Sequence, residues 1–203
     1  MLEYLFTRLS AAFNNRIELY RLGTFYYEGQ YVTKDHQKAT KYLQKAADKK
    51  YNRALFYLGL IELEKGEATT DRALALRYFL LSRRDEPKAA AEIEKLEETI
   101  LKLSPTKENS ELLFKIGYMY ANDVVIGTDA AKAARFYEAA IAGNHQAARL
   151  ELAKLLMKSR PGSPKDLPRA IELLQDPSMA QFLPAELALK ELLEKNPDLS
   201  NGN

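Results

Sequence analysis

The stretch RLGTFYYEGQYVTKDHQKATKYLQKAA, residues 21–47, decides the fold because it places a glycine inside a helical pattern. Apolar residues recur at helical spacing on both sides of Gly23, and a second apolar series runs from Ala39 to Ala47. Glycine in the middle of a helix costs about 1 kcal/mol relative to alanine. We therefore predict that Gly23 lets a neighbouring helix pack closely, and that this contact offsets the cost.

The pattern repeats along the chain. Glycine takes the same slot in three copies and alanine takes it in a fourth: Gly23, Gly59, Gly117 and Ala153. An aspartate follows twelve residues after each glycine and thirteen after the alanine: Asp35, Asp71, Asp129 and Asp166. Each copy predicts two helices, with the aspartate at the start of the second, where a carboxylate accepts free backbone N–H groups. Gly29 or Gly66 is predicted to end the first helix in the left-handed conformation.

A family resemblance follows from the first copy, which resembles the Sel-1-like repeat, a relative of the tetratricopeptide repeat. The matching residues are Tyr20, Leu22, Gly23, Tyr26, Gly29, Val32, Lys34, Asp35, Lys38, Ala39, Tyr42, Lys45, Ala46 and Ala47. The resemblance implies an all-α fold, an α-solenoid of stacked antiparallel helix pairs of bacterial type. A unit of two helices cannot bury its apolar face alone, so stacking on neighbours has to supply the core.

The repeat spacing also predicts the domain organisation. From Gly59 to Gly117 is 58 residues, which is one repeat of 36 plus 22 more. Residues 87–103 fill this gap with a helical pattern, and a break follows it. The predicted parts are a capping helix at 1–15, a first sub-array at 16–103, a linker at 104–110, a second sub-array with a closing helix at 111–195, and a flexible tail at 196–203. The capping helix is amphipathic, with Leu2, Leu5, Phe6, Leu9 and Phe13 at helical spacing.

The composition excludes several classes of protein. Thirty basic and 28 acidic residues nearly cancel, so no global field favours nucleic acid. The chain has no cysteine, which excludes disulfides and thiolate chemistry. It also lacks the apolar run that a transmembrane segment needs. Glu3 stands where a secretory leader needs positive charge, so we predict a cytoplasmic protein. The periplasm is the alternative, if a leader has been removed.

No enzymatic signature is present in the sequence, which contains no phosphate loop, no GxSxG elbow and no HExxH motif. The two histidines, His36 and His145, do not share a repeat slot. They are interpreted as solvated surface groups rather than metal ligands. We therefore predict no catalytic residue, no metal and no cofactor.

A surplus of aromatic residues remains, with twelve tyrosines and eight phenylalanines. Three tyrosines fall on first helices outside the apolar slots of the repeat and lie beside basic residues. The predicted binding residues are Tyr27, Tyr57, Tyr118, Arg21, Arg53 and Lys115. The resemblance implies that first helices line a concave face, and tyrosine and arginine are favoured at binding hot spots. The alternative is that these side chains only cover the junctions between helices.

The leading functional hypothesis is a non-catalytic scaffold or adaptor that binds a protein or peptide through its concave face. One alternative is an immunity or inhibitor protein that neutralises a cognate toxin. Another is an accessory protein of the cell envelope or of secretion assemblies, with affinity for glycan. A monomer is favoured over an oligomer.

Overall fold

The computed structural model describes residues 2–12, 14–66, 69–158 and 165–201. These residues form an all-α fold in which no strand occurs. The helices are α1 (Leu2–Ala12), α2 (Arg16–Glu28), α3 (His36–Asp48), α4 (Arg53–Lys65), α5 (Thr69–Ser82), α6 (Lys88–Leu101), α7 (Lys107–Asn122), α8 (Ala130–Ala142), α9 (Gln146–Leu156), α10 (Leu167–Gln175) and α11 (Leu183–Lys195). Two short 3₁₀ segments cover Pro177–Met179 and Pro197–Asn201. The predicted fold class is confirmed.

The chain divides into two compact units, residues 1–100 and 101–203, which we call unit 1 and unit 2. Unit 1 contains the pairs α2–α3 and α4–α5, and unit 2 contains α7–α8 and α9–α10. In three of the pairs, the aspartate that precedes the second helix donates its backbone N–H to a carbonyl near the end of the first. These bonds are Asp35 to Tyr26 at 2.9 Å, Asp129 to Tyr120 at 2.8 Å and Asp166 to Leu156 at 3.0 Å. The second helix of each of these pairs therefore begins beside the end of the first.

The repeated glycines lie where the two helices of a pair touch. A Cβ atom on Gly23 would lie 2.6 Å from Cγ of Leu43, and one on Gly59 would lie 2.6 Å from Cε1 of Phe79. At Gly117 the nearest atom is Cδ1 of Tyr137, at 2.7 Å. These distances are far below a normal carbon–carbon contact, so no side chain fits. The glycine lets a large buried side chain of the second helix pack directly against the first helix.

Three of the four repeated aspartates cap a helix. The side chains of Asp35, Asp129 and Asp166 accept hydrogen bonds from the backbone N–H groups of Lys38, Lys132 and Arg169. Asp71 differs from the prediction that it starts its helix, because α5 already begins at Thr69 and Asp71 is its third residue. Its carboxylate still lies in the first turn, where it opposes the positive end of the helix dipole.

This difference predicts unequal effects of removing the two kinds of carboxylate. Asp129→Ala is expected to lower the free energy of unfolding by about 1 kcal/mol, because the Lys132 N–H loses its cap. Asp71→Ala is expected to cost only a few tenths of a kcal/mol, since a charge in the first turn is worth about 0.3–1 kcal/mol before salt screening. Urea unfolding of the two variants measures the difference. Equal losses would contradict the assignment of Asp129 as the cap.

The prediction that a glycine in the left-handed conformation ends the first helix is confirmed for Gly29 and is wrong for Gly66. Gly29 ends α2 with φ +75° and ψ +21°, in the left-handed helical region. Gly66 follows α4 with φ +146° and ψ −165°, a conformation outside that region which still requires glycine. The chain therefore leaves α4 in a more extended path than it leaves α2.

Two predicted boundaries differ in the structure. Helix α7 begins at Lys107, inside the predicted linker 104–110, because the Thr106 side chain accepts the N–H of Asn109 and starts the helix earlier. In the predicted flexible tail 196–203, the described residues include the 3₁₀ segment Pro197–Asn201. The helical pattern predicted for residues 87–103 corresponds to α6, with Ile93 and Ile100 among its buried side chains.

The apolar residues predicted to form one face of helix α1 are exposed rather than packed against the rest of the protein. Leu2, Leu5, Phe6 and Leu9 are all exposed, whereas Thr7 is fully buried. Phe13 lies outside the described residues. The side facing the protein is held by polar groups: Glu3 pairs with Arg21 of α2, and the hydroxyls of Tyr4 and Tyr26 lie 3.2 Å apart. Across the described residues, no helix has the length and apolar character to cross a membrane.

Candidate functional site

The first helices of two consecutive repeats, α2 and α4, are joined by two tyrosines and two glutamates. The rings of Tyr27 and Tyr57 meet edge to face with their centroids 5.4 Å apart. The Tyr27 hydroxyl donates to Oε1 of Glu64 at 2.6 Å, and the Tyr57 hydroxyl donates to Oε1 of Glu28 at 3.3 Å. Each helix thus gives one hydroxyl to the other and accepts one in return. We call these four residues the tyrosine–glutamate cluster.

A lysine and a histidine of the chain lie on the Glu64 side of the cluster. The Lys34 ammonium lies 5.2 Å from the centroid of the Tyr27 ring and 3.3 Å from Oε2 of Glu64. The His36 ring stacks on Tyr27 at 5.7 Å, and its Nε2 lies 3.2 Å from the same Oε2. An ammonium group held between an aromatic face and a carboxylate is a cation–π arrangement supported by an ion pair.

The protonation states of the cluster follow from these contacts. Partial burial, followed by the hydrogen bond to Glu64, raises the pKa of Tyr27 above its ordinary value. Partial burial, followed by the proximity of Tyr20 and Glu28, raises the pKa of Tyr57. Burial opposes ionisation of Glu64, but the bonds from Tyr27 and Lys34 outweigh it and lower the pKa of its carboxyl. At neutral pH both phenols are therefore neutral donors and Glu64 is an anion.

The cluster continues along α2 and α4 into a second group of aromatic residues. The Tyr20 ring lies 5.8 Å from Tyr57 and 5.0 Å from Tyr51. Beyond it, the guanidinium of Arg53 lies 3.3 Å from Oε2 of the buried residue Glu86. The Arg53–Glu86 and Lys34–Glu64 pairs are each internally neutralised, so among the described residues of this face Glu28 is the carboxylate without an ion-pair partner.

The structure brings together only some of the predicted binding residues. Tyr27 and Tyr57 touch, and Arg53 lies next to Tyr20 on the same face. Arg21 instead pairs with Glu3 of α1 and with Glu18, at 3.4 Å in the second case, and so ties α1 to α2. Tyr118 and Lys115 belong to unit 2, where Tyr118 is 50% exposed and Lys115 pairs with Glu111 at 3.2 Å.

Unit 2 contains a second polar and aromatic group, around His145. The His145 ring stacks on Phe114 with centroids 4.6 Å apart, its Nε2 lies 3.1 Å from Glu111, and its Nδ1 accepts the N–H of Ala148 to cap α9. His145 and Glu111 border a cleft of about 900 Å³ that also includes Phe182. His145 and His36 are thus packed on aromatic rings, in contrast to their interpretation as solvated groups.

The sequence reasoning missed both glutamates of the cluster. Glu28 and Glu64 occupy the same slot, five residues after Gly23 and Gly59. This shared slot was the available signal. Lys34 belongs to the repeat motif, but its contact with the Tyr27 ring had no signal in the sequence, because that contact depends on the path of the loop between α2 and α3.

Comparison with known proteins assigns the family. Four segments, residues 19–51, 52–85, 110–145 and 146–175, match the model of the Sel1 repeat. These segments cover more than half of the chain, which therefore belongs to the Sel1 repeat family. The predicted resemblance is confirmed. Proteins with Sel1 repeats generally mediate protein–protein interactions and are typically non-catalytic scaffolds.

Two solved structures are similar to the chain. One is c5321, described as a protective antigen present in uropathogenic Escherichia coli strains displaying an SLR fold. It is 17% identical, with 94% of this chain and 44% of that one covered and a TM-score of 0.41. The other is a Sel1 repeat protein from Oxalobacter formigenes, which is 27% identical, with 89% and 64% covered and a TM-score of 0.38. The chain spans less than two thirds of either protein. No curated protein matches the sequence.

Proposed function

We propose that the protein is a non-catalytic adaptor that binds a protein partner through the face formed by α2 and α4, centred on the tyrosine–glutamate cluster. This face consists of first helices, which the family resemblance implies line a concave face. The observation that supports the proposal is the meeting of Tyr27 and Tyr57, with partly exposed rings, at the boundary between two repeats.

The chemistry of this face suits recognition of a protein surface. Tyrosine offers a large apolar contact area with little rotamer entropy to lose, and it is enriched at hot spots. The cross-bonds to Glu28 and Glu64 hold both rings in place before a partner arrives, which lowers the ordering cost of binding. The same bonds also brace α2 against α4, so the two tyrosines serve structure and recognition together.

A capture experiment followed by titration tests the proposal. The purified chain is used as bait, captured proteins are identified by mass spectrometry, and the best candidate is purified and titrated by calorimetry. The double variant Tyr27→Ala, Tyr57→Ala is expected to weaken binding by about ten-fold or more, since truncation of hot-spot residues costs about 2 kcal/mol.

Two single variants serve as controls. Tyr42→Ala removes a half-buried tyrosine from α3, where its ring stacks on Tyr26, and is expected to leave the affinity within about two-fold. Tyr118→Ala removes the exposed tyrosine of unit 2, which the sequence also predicts to bind, and so separates the contribution of that residue from the contribution of the cluster. A folded double variant that binds as tightly as the natural chain would contradict the proposal.

A further inference from the structure

We propose that the Glu28–Tyr57 half of the tyrosine–glutamate cluster binds an arginine or lysine side chain from a basic segment of the partner. This inference rests on the proposed function, because it names the kind of residue that the same face recognises. It concerns the chemistry of one position rather than the identity of the partner.

The first argument is that the cluster consists of two halves with the same chemistry. Each half pairs a tyrosine of one helix with the glutamate of the other, and both glutamates occupy the same repeat slot. In the Glu64–Tyr27 half, the Lys34 ammonium lies over the ring and beside the carboxylate. This half shows what the arrangement holds when it is filled, namely a primary ammonium ion.

The second argument is that no cation of the described residues occupies the other half. Within the part of the chain that the structure describes, the Glu28 carboxylate receives the Tyr57 hydroxyl at 3.3 Å and has no ion-pair partner. Glu28 is exposed, and the Tyr57 ring is half-buried beside it. An arginine or lysine from outside could place its charge beside Glu28 and near the Tyr57 ring, as the Lys34 ammonium lies beside Glu64 and over the Tyr27 ring.

The third argument is the local charge. The chain as a whole carries a formal net charge of +2. Around the cluster, Glu64 is paired with Lys34, and Glu92 of α6 lines a pocket together with the cations Arg72 and Lys95. Among the described residues, the Glu28 carboxylate has no such cation beside it. An unpaired carboxylate attracts a basic side chain and repels an acidic one.

The experiment uses a fluorescein-labelled peptide of alternating arginine and serine residues, titrated with the full chain and followed by fluorescence anisotropy. The control peptide replaces each arginine by citrulline, which keeps the shape and removes the charge. The arginine peptide is expected to bind about ten-fold more tightly at low salt, and the difference is expected to shrink as salt is added. Equal binding of the two peptides would overturn the inference.

Variants of the chain locate the site. Glu28→Gln is expected to remove most of the preference for the arginine peptide, whereas Glu94→Gln, which removes an exposed carboxylate of the same unit, is expected to leave it unchanged. Tyr57→Phe keeps the ring and frees Glu28 from its hydroxyl, so it is expected to retain binding, while Tyr57→Ala is expected to lose it. Equal effects of Glu28→Gln and Glu94→Gln would overturn the inference.

A gain of binding provides a further test. Lys34→Ala removes the cation that fills the Glu64–Tyr27 half, so it is expected to raise the affinity for the arginine peptide several-fold. Lys38→Ala is the matched control, since Lys38 lies 5.4 Å from the Tyr26 ring and pairs with Asp35, away from the cluster. If both variants raised the affinity equally, the effect would be one of overall charge and the inference would be wrong.

The captured partner separates this inference from the proposed function. If the partner loses affinity with the tyrosine double variant but is indifferent to Glu28→Gln, the adaptor surface stands and the basic-residue inference fails. If the partner is indifferent to both variants while the arginine peptide still depends on Glu28, the proposed function fails and the side-chain preference of the cluster stands.

Discussion

Gly59→Ala is expected to lower the free energy of unfolding by about 1–3 kcal/mol, the usual cost of overpacking. Helix propensity alone would make this substitution stabilising by about 1 kcal/mol, because alanine is the better helix former. A loss of stability would therefore indicate a steric conflict. The added Cβ would lie 2.6 Å from Cε1 and 2.9 Å from Cδ1 of Phe79, whose ring is fully buried. Urea unfolding followed by circular dichroism measures the change.

A double-mutant cycle separates this contact from other effects of the substitution. Phe79→Ala alone is expected to cost about 3–5 kcal/mol. In that background the ring is gone, so Gly59→Ala is expected to stabilise the protein by up to about 1 kcal/mol. The sign of the same substitution thus reverses with residue 79. An equal loss in both backgrounds would show that the glycine is needed for a reason other than Phe79.

The fourth copy of the repeat has alanine at the position that glycine occupies in the other three, so it serves as a control for the substitution. Ala153 is fully buried in α9, so the copy that contains it accommodates a methyl group at this position. Ala153→Gly is expected to lower stability by about 1 kcal/mol through helix propensity. The fourth copy thus accommodates a methyl group in the glycine slot, although buried Leu174 occupies the position of Leu43, Phe79 and Tyr137.

Gly143→Ala is the second substitution expected to have a large effect, with a loss of about 1–3 kcal/mol in unit 2. Gly143 follows α8, and a Cβ there would collide with the Ser110 hydroxyl and lie 3.0 Å from the Ser110 Cβ. Ser110 is buried, and its Oγ donates to the carbonyl of Thr106 at 2.8 Å. Accommodating the methyl group would displace the hydroxyl and break this bond.

Removal of the hydroxyl provides the rescue. In a Ser110→Ala background, Gly143→Ala is expected to cost clearly less than in the natural chain, because the closest colliding atom is absent and the remaining contact needs a shift of only a few tenths of an ångström. Thermal unfolding of the four proteins of the cycle measures the coupling. Strict additivity of the two substitutions would contradict a direct contact between residues 110 and 143.

The helix pairs were predictable from the sequence because the same two residue types recur at the same spacing in each copy of the repeat. The glycine slot and the aspartate after it mark the close contact and the start of the second helix, and each repeats at fixed spacing. Asp71 does not precede its helix as predicted, because α5 begins at Thr69, two residues before it. The orientation of α1 was also missed, because the periodicity finds an apolar face without saying whether that face is covered.

The candidate site was predictable only in part. Tyr27 and Tyr57 could be identified because they fall outside the apolar slots, but their meeting depends on how α2 lies beside α4. Pairwise contacts between repeats are a tertiary property, and residues 30 or more apart give no local signal for them. The ion pair of Arg21 could not be predicted for the same reason, since its partner Glu3 belongs to a helix outside the repeats.

The cross-bonded tyrosines also bear on stoichiometry. Although the chain has four copies of the repeat, the slot of Tyr27 holds Leu63, Ala121 and Met157 in the others, and the slot of Tyr57 holds Arg21, Lys115 and Glu151. Repetition of the backbone therefore does not repeat the recognition surface. A partner that depends on this surface would find one place to bind on each molecule, so the complex would be univalent.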